Sequence, residues 1–131
     1  MKKTLLILVA TGSILFAQNA EQQKTMQEME VSLAVIQRGF LYNDPLLVKG
    51  GVKSLQEQVA HIEPPSKSDE EVFGRGNTYS YKYAAKQKDK IISLTNALIE
   101  NYDKGEKYAA MSKYKDTLKQ CLACHRKIRR W

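Results

Sequence analysis

The chain has few of the residues that cross-link a fold or interrupt its backbone. Its 131 residues include only two Cys, three Pro and seven Gly. Two cysteines are too few for a disulfide scaffold, and so little Pro and Gly excludes a collagen-like chain. The hydrophobic fraction of 43% and the charged fraction of 27% are ordinary for a globular protein and exclude a disordered one. Ala, Leu, Lys, Glu and Gln are plentiful, which favours helices.

The N-terminal segment has the pattern of a secretory signal peptide. A short basic start is followed by an apolar run over 5–17, after which the chain turns polar. This run is shorter than the roughly 20 apolar residues of a membrane span, so an N-terminal anchor is the less favoured alternative. We predict a signal peptide over 1–17, cleaved after Ala17 or alternatively after Ala20, and a periplasmic protein without a stable membrane anchor.

The remaining residues, 18–131, number about 114, enough for one domain and too few for two.

Removing two N-terminal lysines lowers the formal charge from +7 to +5. Export argues against nucleic acid as a partner, and the excess positive charge can attract acidic lipid or an acidic partner protein. The alternative is a solvated helix face. The basic residues that cluster near the C-terminus are Lys119, Arg126, Lys127, Arg129 and Arg130.

Apolar residues recur at steps of three and four along four segments, which predicts amphipathic helices. The predicted helices span 21–42, 45–62, 78–102 and 106–128. Their apolar stripes are Met26, Met29, Leu33, Ile36 and Phe40; Val48, Val52, Leu55, Val59 and Ile62; Ala84, Ile91, Leu94, Leu98 and Tyr102; and Met111, Leu118, Cys121, His125 and Ile128. We therefore predict an all-α, antiparallel four-helix bundle.

Local signals mark the ends of these helices. Asn43-Asp44-Pro45 stops the first helix and starts the second, because a side-chain cap precedes a proline in the first turn. Pro64-Pro65 ends the second helix, Asn77 caps the third, and Gly105 separates the third from the fourth. Within the longest connection, Ser68 followed by Glu71 resembles a capping box. Gly50-Gly51 either weakens the second helix or permits close helix approach.

The two cysteines stand in one motif, Cys121-Leu122-Ala123-Cys124-His125. Cys-x-x-Cys-His is the sequence of c-type haem attachment. Two thiols three residues apart can add to the two vinyl groups of one haem, and the adjacent His reaches the iron. With this composition, chance would produce roughly 0.0005 such arrangements. We predict one covalent haem c, held by Cys121 and Cys124, with His125 as an iron ligand.

Three other uses of the cysteines are weaker. A disulfide between residues three apart on a helix closes a very small loop and constrains little. A thioredoxin-like redox pair belongs to a strand–helix context, which is absent from this sequence. Zinc needs about four ligands, and only His61, distant in sequence, could join.

A second iron ligand can be sought by height along the bundle. His61 is one candidate, but it stands at the end of a helix beside two prolines. Met26 lies about 24 Å from the end of its helix, and His125 lies about 28 Å from the start of its own, so the two are at nearly one height in neighbouring helices. Met29 lies about one turn lower and would pack on the haem face, unless both Met are core filler. We predict Met26 as the ligand.

The C-terminal motif resembles that of the cytochrome c′ superfamily, four-helix bundles with the haem motif in the last helix. The family pattern continues Cys-x-x-Cys-His-x-x-x-Arg/Lys, and here Arg129 stands four residues after His125. The resemblance implies that Arg129 pairs with a haem propionate, with solvent exposure as the alternative. It also implies that a homodimer can form.

The first helix is similar to that of the related soluble b-type bundle cytochrome. There, the ligand Met is followed by apolar residues at +3, +7 and +10 and by Leu-x-Val-Ile-acid/amide-basic, and this chain has Met26, Met29, Leu33 and Val35-Ile36-Gln37-Arg38. High-spin, gas-binding members of the cytochrome c′ superfamily have a non-ligating residue, often Leu or Phe, in the position of Met26. The resemblance therefore implies a six-coordinate, low-spin cytochrome.

We predict a mono-haem electron carrier with iron held by His125 and Met26. The alternative is a five-coordinate binder of nitric oxide or carbon monoxide. No acid–base constellation accompanies the motif, because His61 is the only other histidine, so we predict no enzymatic activity. The tyrosines, which could form an electron-hopping path, are interpreted as amphipathic packing residues at the boundaries of the bundle.

Overall fold

The computed structural model describes residues 3–62 and 81–129, with side chains over 20–62 and 82–127. Four helices and no strand occur in these ranges. They are α1 (Lys3–Tyr42), α2 (Pro45–Val59), α3 (Tyr81–Asp103) and α4 (Lys107–Arg129). The predicted all-α class is confirmed, and the arrangement is consistent with a four-helix bundle. In the described ranges, no helix combines the length and the apolar character needed to cross a membrane.

Helix α1 begins at Lys3, ahead of the start predicted near Glu21. No proline or turn sequence separates the apolar run from the amphipathic part, so nothing in the local sequence ends a helix there. The signal peptide predicted over 1–17, with its cleavage after Ala17, falls where side chains lie outside the described residues.

The turn between α1 and α2 follows the predicted cap. The Asp44 carboxylate accepts hydrogen bonds from the backbone N–H groups of Leu46 at 2.9 Å and Leu47 at 3.2 Å, and Pro45 occupies the first turn. Asn43 has a φ of 52°, in the left-handed region that Asn tolerates better than most residues. Two residues therefore suffice to reverse the chain and bring α2 back against α1.

Two glycines allow α1 and α2 to approach closely. A Cβ atom on Gly39 would lie 2.6 Å from the backbone nitrogen of Val48, and one on Gly51 would lie 3.0 Å from that of Ile36. Gly50 has nothing within 4 Å of the same position. Of the two interpretations of Gly50-Gly51, close approach is therefore confirmed for Gly51, which is buried, whereas Gly50 is exposed.

Replacing Gly51 by Ala is expected to lower the free energy of unfolding by about 1–3 kcal/mol, because the new methyl group forces two helices apart. Gly50→Ala is the matched control. It is expected to raise the same quantity by about 0.5–1 kcal/mol, since alanine is the better helix former at an open position. Urea denaturation of both variants measures the two shifts. Equal stabilisation by both would show that the close approach is absent.

Further contacts join the remaining helices. The Gln56 amide on α2 donates hydrogen bonds to Thr95 Oγ1 at 2.9 Å and Asn96 Oδ1 at 2.8 Å on α3. Lys49 Nζ on α2 lies 2.7 Å from Asp103 Oδ1 on α3. Helices α3 and α4 pack along their length. Phe40 of α1 lies between two tyrosines, with ring centroids 5.7 Å from Tyr102 on α3 and 6.1 Å from Tyr114 on α4.

The core contains most of the predicted stripes. All five residues of the second stripe are buried. In the first stripe, Met29 and Ile36 are buried, and the other three are partly buried against the core. In the third, Leu94 alone is only partly buried. Burial of these stripes supplies the hydrophobic free energy that holds the helices together.

The predicted inner face of α4 is wrong at one end. Met111 is 48% exposed, whereas Ala110, Thr117 and Gln120 are buried. The inner face is thus rotated relative to the predicted stripe, because two of its members are polar and do not contribute to a hydrophobic period. Thr117 satisfies its hydroxyl locally by donating to the carbonyl of Lys113 at 2.9 Å.

Helix bounds agree with prediction closely for α4 and less well for α2. Helix α2 ends at Val59, and the chain then tightens through hydrogen bonds from the N–H groups of His61 to Gln58 and of Ile62 to Val59. The prolines that follow disfavour a longer helix. Residues 63–80, which include the predicted capping box and the cap Asn77, lie outside the described residues.

Candidate functional site

The residues of the Cys-x-x-Cys-His motif lie near the C-terminal end of α4. Cys121, Cys124 and His125 are all half-buried, whereas Leu122 and Ala123 between them are exposed. At about 100° per residue, positions three and four apart share one side of a helix. The two sulfurs and the imidazole therefore belong to one face of α4, at the boundary between core and solvent.

Both cysteines are free thiols. Burial, together with the neighbouring Cys124, raises the pKa of Cys121 to about 11. Burial also raises the pKa of Cys124, against the opposing effects of a hydrogen bond from Tyr83 and the charge of Lys127. In the haem-free chain, the two sulfurs are therefore protonated thiols at neutral pH rather than thiolates.

Alkylation of the haem-free chain tests this state of Cys121. In a Cys124→Ser variant, which keeps the burial of Cys121 but removes the effect of Cys124, the rate at pH 8 is expected to be about 10-fold or more lower in the folded chain than in urea, because only the thiolate reacts. A raised pKa favours the neutral thiol, so this ratio should shrink as the pH rises and vanish above pH 11. Iodoacetamide kinetics, with circular dichroism as the check of folding, measure it. Equal rates at pH 8 would contradict the buried thiol.

Two tyrosines lie beside the cysteines. The Tyr83 hydroxyl on α3 is hydrogen-bonded to the Cys124 side chain, and burial together with this contact raises the pKa of Tyr83. Lys127 Nζ lies 4.1 Å from the centroid of the Tyr83 ring. Burial, and then the nearby Cys121, raise the pKa of Tyr114. Each thiol thus has a phenol in its neighbourhood.

A buried amide pair lies beside Cys121. Gln120 of α4 and Gln87 of α3 are both buried, and the side-chain amide nitrogen of Gln120 donates a hydrogen bond to the side-chain oxygen Oε1 of Gln87. A buried amide left without a partner would cost about 1–3 kcal/mol, so the pair fixes how α3 and α4 meet next to Cys121.

Helix α1 presents the two candidate methionines differently. Met29 is 6% exposed and belongs to the core, whereas Met26 is half-buried and packs at its edge. Contact from α1 to α4 runs through Tyr114, whose hydroxyl donates to the Leu33 carbonyl oxygen at 3.1 Å. Of the two methionines, Met26 could therefore turn its sulfur towards a metal with less rearrangement of the core.

The second histidine lies apart from the motif in the sequence. His61 is exposed in the turn that follows α2. Across the described ranges, no group of three or more His, Cys, Asp or Glu side chains could hold a metal ion.

The basic cluster is only partly described. Lys119, Arg126 and Lys127 are exposed, and Lys119 Nζ lies 3.6 Å from Asp116 Oδ1. Arg129 belongs to α4 by its backbone, but its side chain, like all of Arg130, lies outside the described residues.

Sequence reasoning did not identify several neighbours of the motif. Tyr114 precedes Cys121 by seven residues, and this heptad spacing could have placed it on the same face. Tyr83 and Gln87 belong to another helix, so only the register between α3 and α4 brings them to the site. No local pattern in the sequence indicates that register.

The residues present fit a covalently attached haem. Two thiols that are not joined in a disulfide share one half-buried face with an imidazole, and Met26 lies on another helix at the edge of the core. Cys121, Cys124 and His125 are the residues that could hold the group, with Met26 as a second iron ligand.

Comparison with known proteins finds no family model, no curated relative and no solved structure that matches this chain.

Proposed function

We propose that this protein is a periplasmic mono-haem c-type cytochrome of the cytochrome c′ superfamily that carries single electrons between redox partners. The observation that carries the proposal is the shared face of Cys121, Cys124 and His125, with both thiols unpaired and half-buried. A pair of thiols at this spacing beside an imidazole has one well-matched use, covalent attachment of haem.

The bundle is proposed to be antiparallel, and three series of contacts support this. Between α1 and α2, Gly39 meets Val48 and Gly51 meets Ile36. Between α2 and α3, Gln56 meets Thr95 and Lys49 meets Asp103. Between α3 and α4, Gln87 meets Gln120 and Tyr83 meets Cys124. In each series, positions rise along one helix as they fall along the other, so α4 also runs opposite to α1.

Cys121 and Cys124 are proposed to hold the haem through thioethers. Each addition forms one bond from Sγ to a vinyl carbon, and the thiol hydrogen goes to the other vinyl carbon, so no oxidant or reductant is consumed. His125 would supply an iron ligand from the same helix. Bound haem supplies the one-electron iron couple, and the protein contributes its ligands and a partly apolar surround.

Met26 is proposed as the second iron ligand. Tyr114 contacts both Leu33 and Phe40 of α1, so its height lies between theirs. His125 is about 17 Å further along α4, and Met26 is about 11 Å from Leu33 and about 21 Å from Phe40 in the opposite chain direction. These rises bring Met26 and His125 to nearly the same height. Ligation by His and Met raises the haem potential, which suits an electron carrier.

The exposed cations around the motif are proposed to attract acidic redox partners. Arg126 and Lys127 follow His125 directly and are exposed. Opposite charge on a partner would speed encounter and orient it towards this end of α4. Arg129 is proposed to pair with a propionate.

Optical spectra of the purified holoprotein in the ferric and ferrous states test this function. We expect six-coordinate, low-spin spectra in both states, a reversible one-electron titration and no spectral change on adding carbon monoxide. A five-coordinate, high-spin spectrum with ready carbon monoxide binding would contradict the electron carrier and favour the gas-binding alternative.

A further inference from the structure

Three side chains form a stack that runs from the protein surface to the attachment site. Lys127 is exposed, and its Nζ lies 4.1 Å from the centroid of the Tyr83 ring. Tyr83 is half-buried, and its hydroxyl is hydrogen-bonded to Cys124, with the phenol as donor. We call these three residues the Tyr83 stack. Its inner end is a sulfur that the proposed function joins to haem.

We propose that Tyr83 is a positioning residue that raises the redox potential of the haem by donating a hydrogen bond to the Cys124 sulfur. The inference rests on the proposed function. A thioether sulfur retains lone pairs and remains a weak acceptor. A donor at that sulfur withdraws electron density from the porphyrin and thereby favours ferrous over ferric iron. The Cys124 sulfur would be joined to the porphyrin rather than to the iron, so the effect of the hydrogen bond would reach the iron through the macrocycle. Hydrogen bonding around a haem is one of the means by which a protein tunes its potential.

Lys127 strengthens this hydrogen bond. An ammonium over the face of a tyrosine ring is attracted by the ring electrons, and it draws charge away from the hydroxyl. The phenol proton then becomes a better donor, because the positive charge over the ring makes the hydroxyl more acidic. The lysine therefore acts on the haem in two ways, through Tyr83 and directly by its own charge.

Potentiometric titration of the haem-loaded protein tests the role of Tyr83. Tyr83→Phe removes the hydroxyl and keeps the ring, and it is expected to lower the midpoint potential by several times the repeat error while leaving covalent haem and coordination unchanged. Tyr108→Phe is the matched control, because Tyr108 is 88% exposed near the start of α4, and it should leave the potential unchanged. An unchanged potential in Tyr83→Phe would overturn the inference.

A double-mutant cycle separates the two actions of Lys127. Lys127→Met should lower the potential more than Arg126→Met, which removes the same charge from the adjacent exposed position. In the Tyr83→Phe background, Lys127→Met should have a smaller effect than in the wild type. Additive effects would overturn the coupling. Wild-type protein without covalent haem would overturn both the inference and the proposed function, whereas a normal holoprotein insensitive to Tyr83→Phe would overturn the inference alone.

Discussion

Met26→Ala is expected to convert the low-spin holoprotein into a high-spin protein that binds carbon monoxide. Alanine has no donor atom, so the iron would lose its proposed second protein ligand, while the proposed His125 ligand and both thioethers would stay in place. The haem potential should fall, because a Met ligand favours ferrous iron. Ferric and ferrous spectra, with and without carbon monoxide, measure the conversion, which should be complete rather than partial.

Two other methionines provide controls for this experiment. Met29→Ala should destabilise the fold by about 2–5 kcal/mol through lost core packing, yet keep the low-spin spectrum. Met111→Ala should change neither, since Met111 is 48% exposed on α4. If Met26→Ala keeps the low-spin spectrum and Met29→Ala loses it, the assignment of the ligand is wrong.

Replacing both motif cysteines by serine is expected to abolish covalent haem entirely. A hydroxyl does not add to the vinyl groups as a thiol does, so neither thioether can form. Any haem retained through His125 should then be removed by acidified organic solvent. The measurement is haem extraction followed by the mass of the denatured polypeptide.

Single substitutions of each cysteine, and of one residue between them, serve as comparisons for the double variant. Cys121→Ser and Cys124→Ser should each leave one thioether, with the remaining vinyl group visible as a shifted ferrous band. Leu122→Ser lies between the two cysteines at an exposed position and should retain a fully attached haem. Loss of haem in Leu122→Ser equal to that in the double variant would mean that folding, rather than thiol chemistry, controls attachment.

Local patterns in the sequence predict much of this fold. The stripe from Val48 to Ile62 is buried at every position, because all its members are apolar and the period is unbroken. The turn at Asp44 follows from a cap and a proline in adjacent positions. Helix α4 is predicted less well, since Thr117 and Gln120 face the core and satisfy their polar groups there. A hydrophobic period cannot identify a buried polar residue that has a partner.

The candidate site, too, can be predicted from the sequence only in part. Cys121, Cys124 and His125 are adjacent in sequence, so their common face follows from helical geometry alone. The contact of Tyr83 with Cys124 depends on the axial register between α3 and α4. That register is set by packing along both helices and by the Gln87–Gln120 hydrogen bond. Contacts of this kind become visible only in the folded chain.

The most direct test of the account is the mass of the denatured polypeptide, together with its alkaline pyridine spectrum, after expression in a host that attaches haem c. We expect the apoprotein mass increased by one haem, a ferrous band typical of two thioethers, and no thiol left to alkylate. A colourless polypeptide of apoprotein mass, with Cys121 and Cys124 both alkylated after denaturation, would contradict it.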